Sequence, residues 1–196
     1  IYNSSFINSS RNQVYHKSKL VVGVENLPYK SLLEPILGNL LLDFGGTVMT
    51  RATQTNRSVF KTKSNALVAP VICYESMYGE FMTDYVRNGA QLIAIITNDG
   101  WWGNSPGHKQ LLSYSRLRSI ELRRSIVRSA NTGISAVINE KGDIINSIEY
   151  EKNGIINDKI SISNKLTFYA KYGDFISRIS LFFFIIIFLF YFAKKK

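Results

Sequence analysis

One cysteine, Cys73, stands in 196 residues, so no intramolecular disulfide can form. The lone thiol is either a small buried hydrophobe or a reactive group. Histidine is almost as scarce. His16 and His108 lie far apart, no Cys/His cluster has metal-ligand spacing, and neither a metal nor any other cofactor is expected. Acidic residues number 14 against 24 Lys and Arg, and Ile1 to Val14 contain none. The opening Ile1-Tyr2-Asn3-Ser4-Ser5 lacks an initiator Met and the basic start and apolar run of a signal peptide. It reads as the middle of a strand, and the expectation is a partial chain.

The charge that is present sums to +10, of which Lys194, Lys195 and Lys196 supply three. Much of the remainder follows a general richness in Ile, Asn, Lys and Ser. The densest basic group, Arg116, Arg118, Arg123, Arg124 and Arg128, is mixed with Leu117, Ile120, Glu121 and Leu122. That mixture reads as the outer face of an amphipathic helix, not as a basic stripe with interleaved aromatics, so nucleic acid is not an expected partner. Hydrophobic residues make up 45%, enough for one packed domain and an appendage.

The appendage is the tail. From Phe175 to Phe192 only Ser177, Arg178 and Ser180 interrupt an apolar run, and Leu181 to Phe192 carries no charge. Eighteen helical residues at 1.5 Å each span about 27 Å, close to the hydrocarbon thickness of a bilayer. The expectation is a transmembrane helix in residues 171–196, with Arg178 snorkelling to the headgroups and the final lysines on the cytoplasmic side. Residues 1–170 then form a domain on the outer side.

Along that domain, Val68-Ala69-Pro70-Val71-Ile72-Cys73 suits a buried strand, and Met77 to Arg87 has helical spacing before Asn88-Gly89. Ala90 to Thr97 reads as a second buried strand, followed by a loop bearing Trp101 and Trp102. A helix over about His108 to Ser125 follows. Strands are expected over Ile126 to Ala130, Ile134 to Asn139, Ile144 to Tyr150 and about Gly154 to Ile162, with a hairpin turn at Glu140 to Asp143. Alternating strands and helices imply an α/β domain with helices covering a sheet.

Cys73 ends a strand just before a helix, where the positive end of a helix dipole favours a thiolate. Its company is distinctive. Ile72-Cys73-Tyr74-Glu75 followed by Thr97-Asn98-Asp99-Gly100-Trp101-Trp102-Gly103 resembles the nucleophile region of the bacterial apolipoprotein N-acyltransferases, in the nitrilase (carbon-nitrogen hydrolase) superfamily. Tyr15-His16-Lys17 with Leu20, Val21 and Glu25 resembles that family's active-site lysine segment. Arg116 to Glu121 and Arg128 to Ile134 match further stretches, and a membrane helix after the domain is also in keeping.

The resemblance implies a nitrilase-like α-β-β-α sandwich with a Glu-Lys-Cys triad. Cys73 would take a fatty acyl group from a phospholipid as a thioester. It would pass the group to the amino terminus of diacylglyceryl-cysteine on a lipoprotein, at the outer face of a bacterial inner membrane. Lys17 would stabilise the oxyanion, while Glu25, Tyr74 and Glu75 would orient Lys17 and shape the pocket. Trp101 and Trp102 are left either as loop packing or as walls of an acyl-chain entrance.

The chain departs from the family pattern in three ways. The triad glutamate lies upstream of the Tyr-x-Lys segment, where this sequence has no acidic residue. The first strands of the sandwich and a preceding bundle of membrane helices are missing. Val22-Gly23-Val24 stands where Pro-Phe-Gly is usual. A catalytically dead fragment is therefore expected when this polypeptide stands alone. Two other readings remain: a membrane-tethered amidase acting on a small amide or nitrile, and a non-catalytic interaction module.

Overall fold

The computed structural model describes residues 2–8, 12–22, 25–26 and 51–194; Gly23 and Val24, at the Pro-Phe-Gly departure, lie outside the described residues. Two sheets are present among these residues. Strands β1 (Ser4–Asn8) and β2 (Asn12–His16) form an antiparallel pair with Ser5 opposite Tyr15. The larger sheet has six strands in sequential order: β3 (Phe60–Lys61), β4 (Leu67–Ile72), β5 (Leu92–Thr97), β6 (Ile126–Ala130), β7 (Ser135–Ile138) and β8 (Ile144–Ile148). Strands β4, β5 and β6 run parallel, and the outer pairs are antiparallel.

Parallel strands need crossovers, and the helices supply them. Helix α1 (Gly79–Arg87) joins β4 to β5, and α2 (Pro106–Leu122) joins β5 to β6. The register puts Ala69, Val71, Ile93, Ile95, Ile126, Ala136 and Ile138 on one face. All are sealed into one core with Met82, Tyr85 and Val86 of α1 and Leu112 and Leu122 of α2. The opposite face is more open, and Ile96 remains 42% exposed on it. The architecture is the expected α/β arrangement of a mixed sheet with helices.

Three sequence readings need correction. Gly154 to Ile162 forms no strand, and Ile155 is 95% exposed. Its isoleucines, Ile155, Ile156, Ile160 and Ile162, have no neighbouring strand to form a ladder with. Gln91, just before β5, accepts from the Ser163 amide at 3.3 Å and donates to Asn164 at 2.7 Å. The helix expected from Met77 begins at Gly79, and Cys73 to Met77 form a separate 3-10 turn. The arginine group is not an outer helix face, since Arg118, Arg124 and Arg128 are buried. Helix α2 stops at Leu122 on a left-handed Arg123, and Arg128 lies on β6 with the same parity as buried Ile126.

Beyond the sheet, a short helix α3 (Phe168–Tyr172) leads into α4 (Phe175–Lys194). Helix α4 is apolar on every side, has no buried residue, and is long enough by length and composition to cross a membrane.

Candidate functional site

Strands β4, β5 and β6 are parallel neighbours, so the loops after them leave from one end of the sheet. That end of an open α/β sheet is where ligands characteristically bind. Cys73 follows β4, the Asn98-to-Gly103 loop follows β5, and Asn131-Thr132-Gly133 follows β6.

Cys73 sits at φ 51°, in the left-handed region that a side chain with a Cβ seldom adopts. The surrounding turn holds it there. Glu75 Oε2 accepts the Ile72 amide at 2.8 Å, Ser76 Oγ donates to the Cys73 carbonyl at 2.8 Å, and the Tyr78 amide donates to the Glu75 carbonyl. The thiol is half-buried, neither sealed among aliphatics nor fully free. Tyr74 packs edge-on against Tyr78, ring centroids 5.1 Å apart.

Glu75 is the element that assembles the site. It is 0% exposed, and its other oxygen accepts from Tyr15 Oη at 2.7 Å, the Ser18 amide at 2.6 Å and the Lys19 amide at 3.3 Å. One carboxylate thus ties the segment leaving β2, on which Lys17 lies, to the turn on which Cys73 lies. Burial pushes the Glu75 carboxyl above the ordinary 4.5, and the donors from Ile72, Ser18, Tyr15 and Lys19 pull it back only part of the way. Burial also raises the Tyr15 hydroxyl, helped by the Glu75 charge.

Lys17 is 1% exposed, and its ammonium donates to Glu25 Oε2 at 2.6 Å. The same carboxylate accepts the Val21 amide at 2.9 Å and Asn3 Nδ2 at 2.9 Å, with Arg51 3.5 Å away. Burial alone would raise the Glu25 carboxyl, but the Lys17 hydrogen bond, the Val21 amide, the Lys17 charge and Asn3 outweigh it, and the net shift is downward. Glu25 therefore holds Lys17 directly, whereas Glu75 holds the backbone around it.

The loop after β5 has its own anchor. Asp99 and Arg128 form a buried ion pair at 2.5 Å, Thr97 Oγ1 donates to Asp99 at 2.7 Å, and Arg128 also donates to the Ile134 carbonyl. Trp101, carried by this loop, is exposed. His16 stacks on Tyr2 and His108 on Tyr150, and no group of metal-ligating residues occurs among the described residues. Sequence reasoning gave no role to Tyr15 or to the Asp99–Arg128 pair. The parity of Arg128 with Ile126 was the readable signal for the pair.

A cysteine in the turn that follows a central strand, a buried Lys-Glu pair and a mixed sheet with helices define the class. The sequence matches the Carbon-nitrogen hydrolase family over residues 1–164, and the chain belongs to that family. Its curated relatives include the apolipoprotein N-acyltransferase of Shewanella oneidensis, 32% identical over 172 residues, covering 88% of this chain and 32% of the relative. The enzyme of the same name from Bradyrhizobium diazoefficiens is 37% identical over 177 residues, with 88% and 32% covered. The chain thus spans about a third of the length of these relatives. Among solved structures, an amidase variant from Nesterenkonia sp. AN1 shares the fold at TM-score 0.50 and 15% identity, over 71% of this chain and 48% of that one. That structure shows acrylamide added at its active-site cysteine.

Proposed function

We propose that this chain supplies the thiol and the lysine of an acyltransferase that moves a fatty acyl group from a phospholipid to the amino terminus of a diacylglyceryl lipoprotein. The observation that carries the reading is the Glu75 carboxylate, which ties the segment carrying Lys17 to the turn carrying a half-buried Cys73. The similarity to apolipoprotein N-acyltransferases supports it.

In the first half-reaction the Cys73 sulfur attacks the ester carbonyl carbon. The C–S bond forms, the C–O bond breaks, and the lysophospholipid leaves with the thiol proton. In the second, the lipoprotein amine attacks the thioester, a C–N bond forms, and the sulfur regains a proton from the nitrogen. Two steps replace one difficult transfer. In this reading the Lys17 ammonium, held by Glu25, stabilises the developing oxyanion, an effect worth about 3–4 kcal/mol for one well-placed donor. Glu75 and Tyr74 shape the turn. The proton carrier of the triad is a carboxylate upstream of Tyr15 in the family pattern, and the 196-residue polypeptide alone is expected to show no turnover. Helix α4 spans the bacterial inner membrane, and the body faces its outer, periplasmic side. A small soluble amide or nitrile gives no reason for such an anchor, which disfavours an amidase.

The test is mass spectrometry of Cys73 in a full-length protein containing this sequence, after incubation with phospholipid vesicles. A thioester carrying the donor's acyl chain is expected, absent in Cys73→Ser and strongly reduced in Lys17→Ala. Full acyl transfer by Cys73→Ser protein would overturn the reading.

A further inference from the structure

The apolar helix is not loosely tethered to the body; it is jointed to the helix that follows the Cys73 turn. Helix α3 is pinned at its start and at its middle. Thr167 Oγ1, which caps it, donates to the Glu121 carbonyl at 2.7 Å, and Arg87 of α1 donates to the Ala170 carbonyl at 3.1 Å. Arg178, in the first turn of α4, then reaches two ways. One nitrogen donates to the Tyr172 carbonyl at 3.0 Å, and the other pairs with Glu80, the second residue of α1.

Two glycines permit this closeness. A Cβ at Gly173, whose φ is 63°, would lie 2.6 Å from Glu80 Oε1. A Cβ at Gly79 would lie 2.4 Å from the Tyr169 hydroxyl and still closer to Arg118. Substitution at Gly173 would push the Glu80 carboxylate from its place, and substitution at Gly79 would push away the side-chain ends of Arg118 and Tyr169.

In water an ion pair with side chains 59% and 47% exposed is a weak contact. Its setting here differs, because Arg178 lies about 5 Å along a helix of about 30 Å, at the level where headgroups meet hydrocarbon. Water is depleted there, and the attraction is correspondingly stronger. From Glu80 back to Cys73 the chain passes Gly79, the single connecting residue Tyr78 and the five-residue 3-10 segment, a span on the order of 15 Å. That span limits how far the Cys73 turn can stand from the interface at which lipid ester groups lie.

We infer that Glu80 and Arg178, seated between Gly79 and Gly173, are positioning residues that fix the height of the Cys73 turn above the bilayer and so direct the thiol toward lipid-borne carbonyl groups. The inference rests on the membrane-spanning reading of α4, and its test does not need catalysis. The full chain is reconstituted in phosphatidylethanolamine/phosphatidylglycerol vesicles. Its only thiol is labelled with a phospholipid-anchored maleimide or with a water-soluble one.

The wild type should react readily with both reagents. Glu80→Gln and Arg178→Gln should lose at least about 10-fold in labelling by the anchored reagent, whose effective concentration collapses once its tether cannot span the gap. Labelling by the soluble reagent should not change, and the Glu80→Arg/Arg178→Glu exchange should restore the wild-type ratio. An unchanged ratio in both single variants, equal loss with both reagents, or failure of the exchange to restore the ratio would each overturn the joint. Failure of the chain to float with vesicles would remove the membrane reading itself. A normal labelling response in this chain, with no acyl thioester formed on Cys73 in the longer protein that contains it, would leave the joint standing and sink the acyl-transfer reading.

Discussion

Helices α2 and α4 are nearly equal in length, 17 and 20 residues, and they invert the usual relation between polarity and burial. Helix α2 hides His108, Ser115, Arg118 and Ser119, while α4 hides nothing and presents Phe, Ile and Leu all round. The buried polar groups of the body persist because most have partners: Ser115 donates to Leu111, Ser119 to Arg116, and Arg118 pairs with Glu121. The exposed apolar groups of α4 fit the proposed bilayer, a solvent that is itself apolar. On that reading, burial is decided by partners in the body and by the medium in the tail.

The comparison breaks most visibly at the Asp99–Arg128 pair. Asp99→Ala leaves a buried guanidinium without its anion and should destabilise the body by about 3–5 kcal/mol, read from urea unfolding of the detergent-solubilised chain. A loss under 1 kcal/mol would mean that Arg128 finds water or another partner. Next comes a charge in the tail. Ile186→Lys, near the centre of α4, should cost about 2.5–3.5 kcal/mol of membrane insertion while leaving body unfolding unchanged. Carbonate extraction of membranes measures the first effect, and equal extraction of variant and wild type would place α4 outside the bilayer.

The smallest effect sharpens the contrast between two carboxylates within the body. Glu25 has a folded pKa below 4.5, so its stabilisation is full above that value and is lost as pH falls through the folded pKa. Glu75 has a folded pKa above 4.5, so its contribution is full below 4.5 and is lost as pH rises through the folded pKa. Unfolding free energy followed from pH 3 to 8 should lose its acid-side slope in Glu25→Gln. It should lose an opposing slope above pH 4.5 in Glu75→Gln. Identical slopes in both variants would show that the two sites are electrostatically alike.

Much of the sheet was legible because β4 and β5 are unbroken β-branched or apolar runs between helix-stop and turn residues. Such strands announce themselves when both faces are covered. Gly154 to Ile162 misled because a run rich in isoleucine reports a tendency to extend, and only a neighbouring strand turns that tendency into a ladder. The arginines misled because a helical period was carried past Leu122, where the left-handed Arg123 ends the helix and the period changes to two. Of the site, the residue types in the Cys73 and Lys17 segments were readable from pattern. The role of Tyr15 was not, since its hydroxyl meets Glu75 across a separation of 60 residues. Nor was the division of labour between the two carboxylates, Glu25 on the lysine ammonium and Glu75 on the Ser18 and Lys19 amides beside it.

Glu75 has a mechanical consequence. Because the Ile72 amide and the Ser18 amide rest on one rigid carboxylate, a flexing of the large sheet that displaces the thiol drags the Lys17 segment with it. The two groups travel as if bolted to a common bracket. Thermal breathing then shifts the pair as a whole and leaves the gap between them nearly constant.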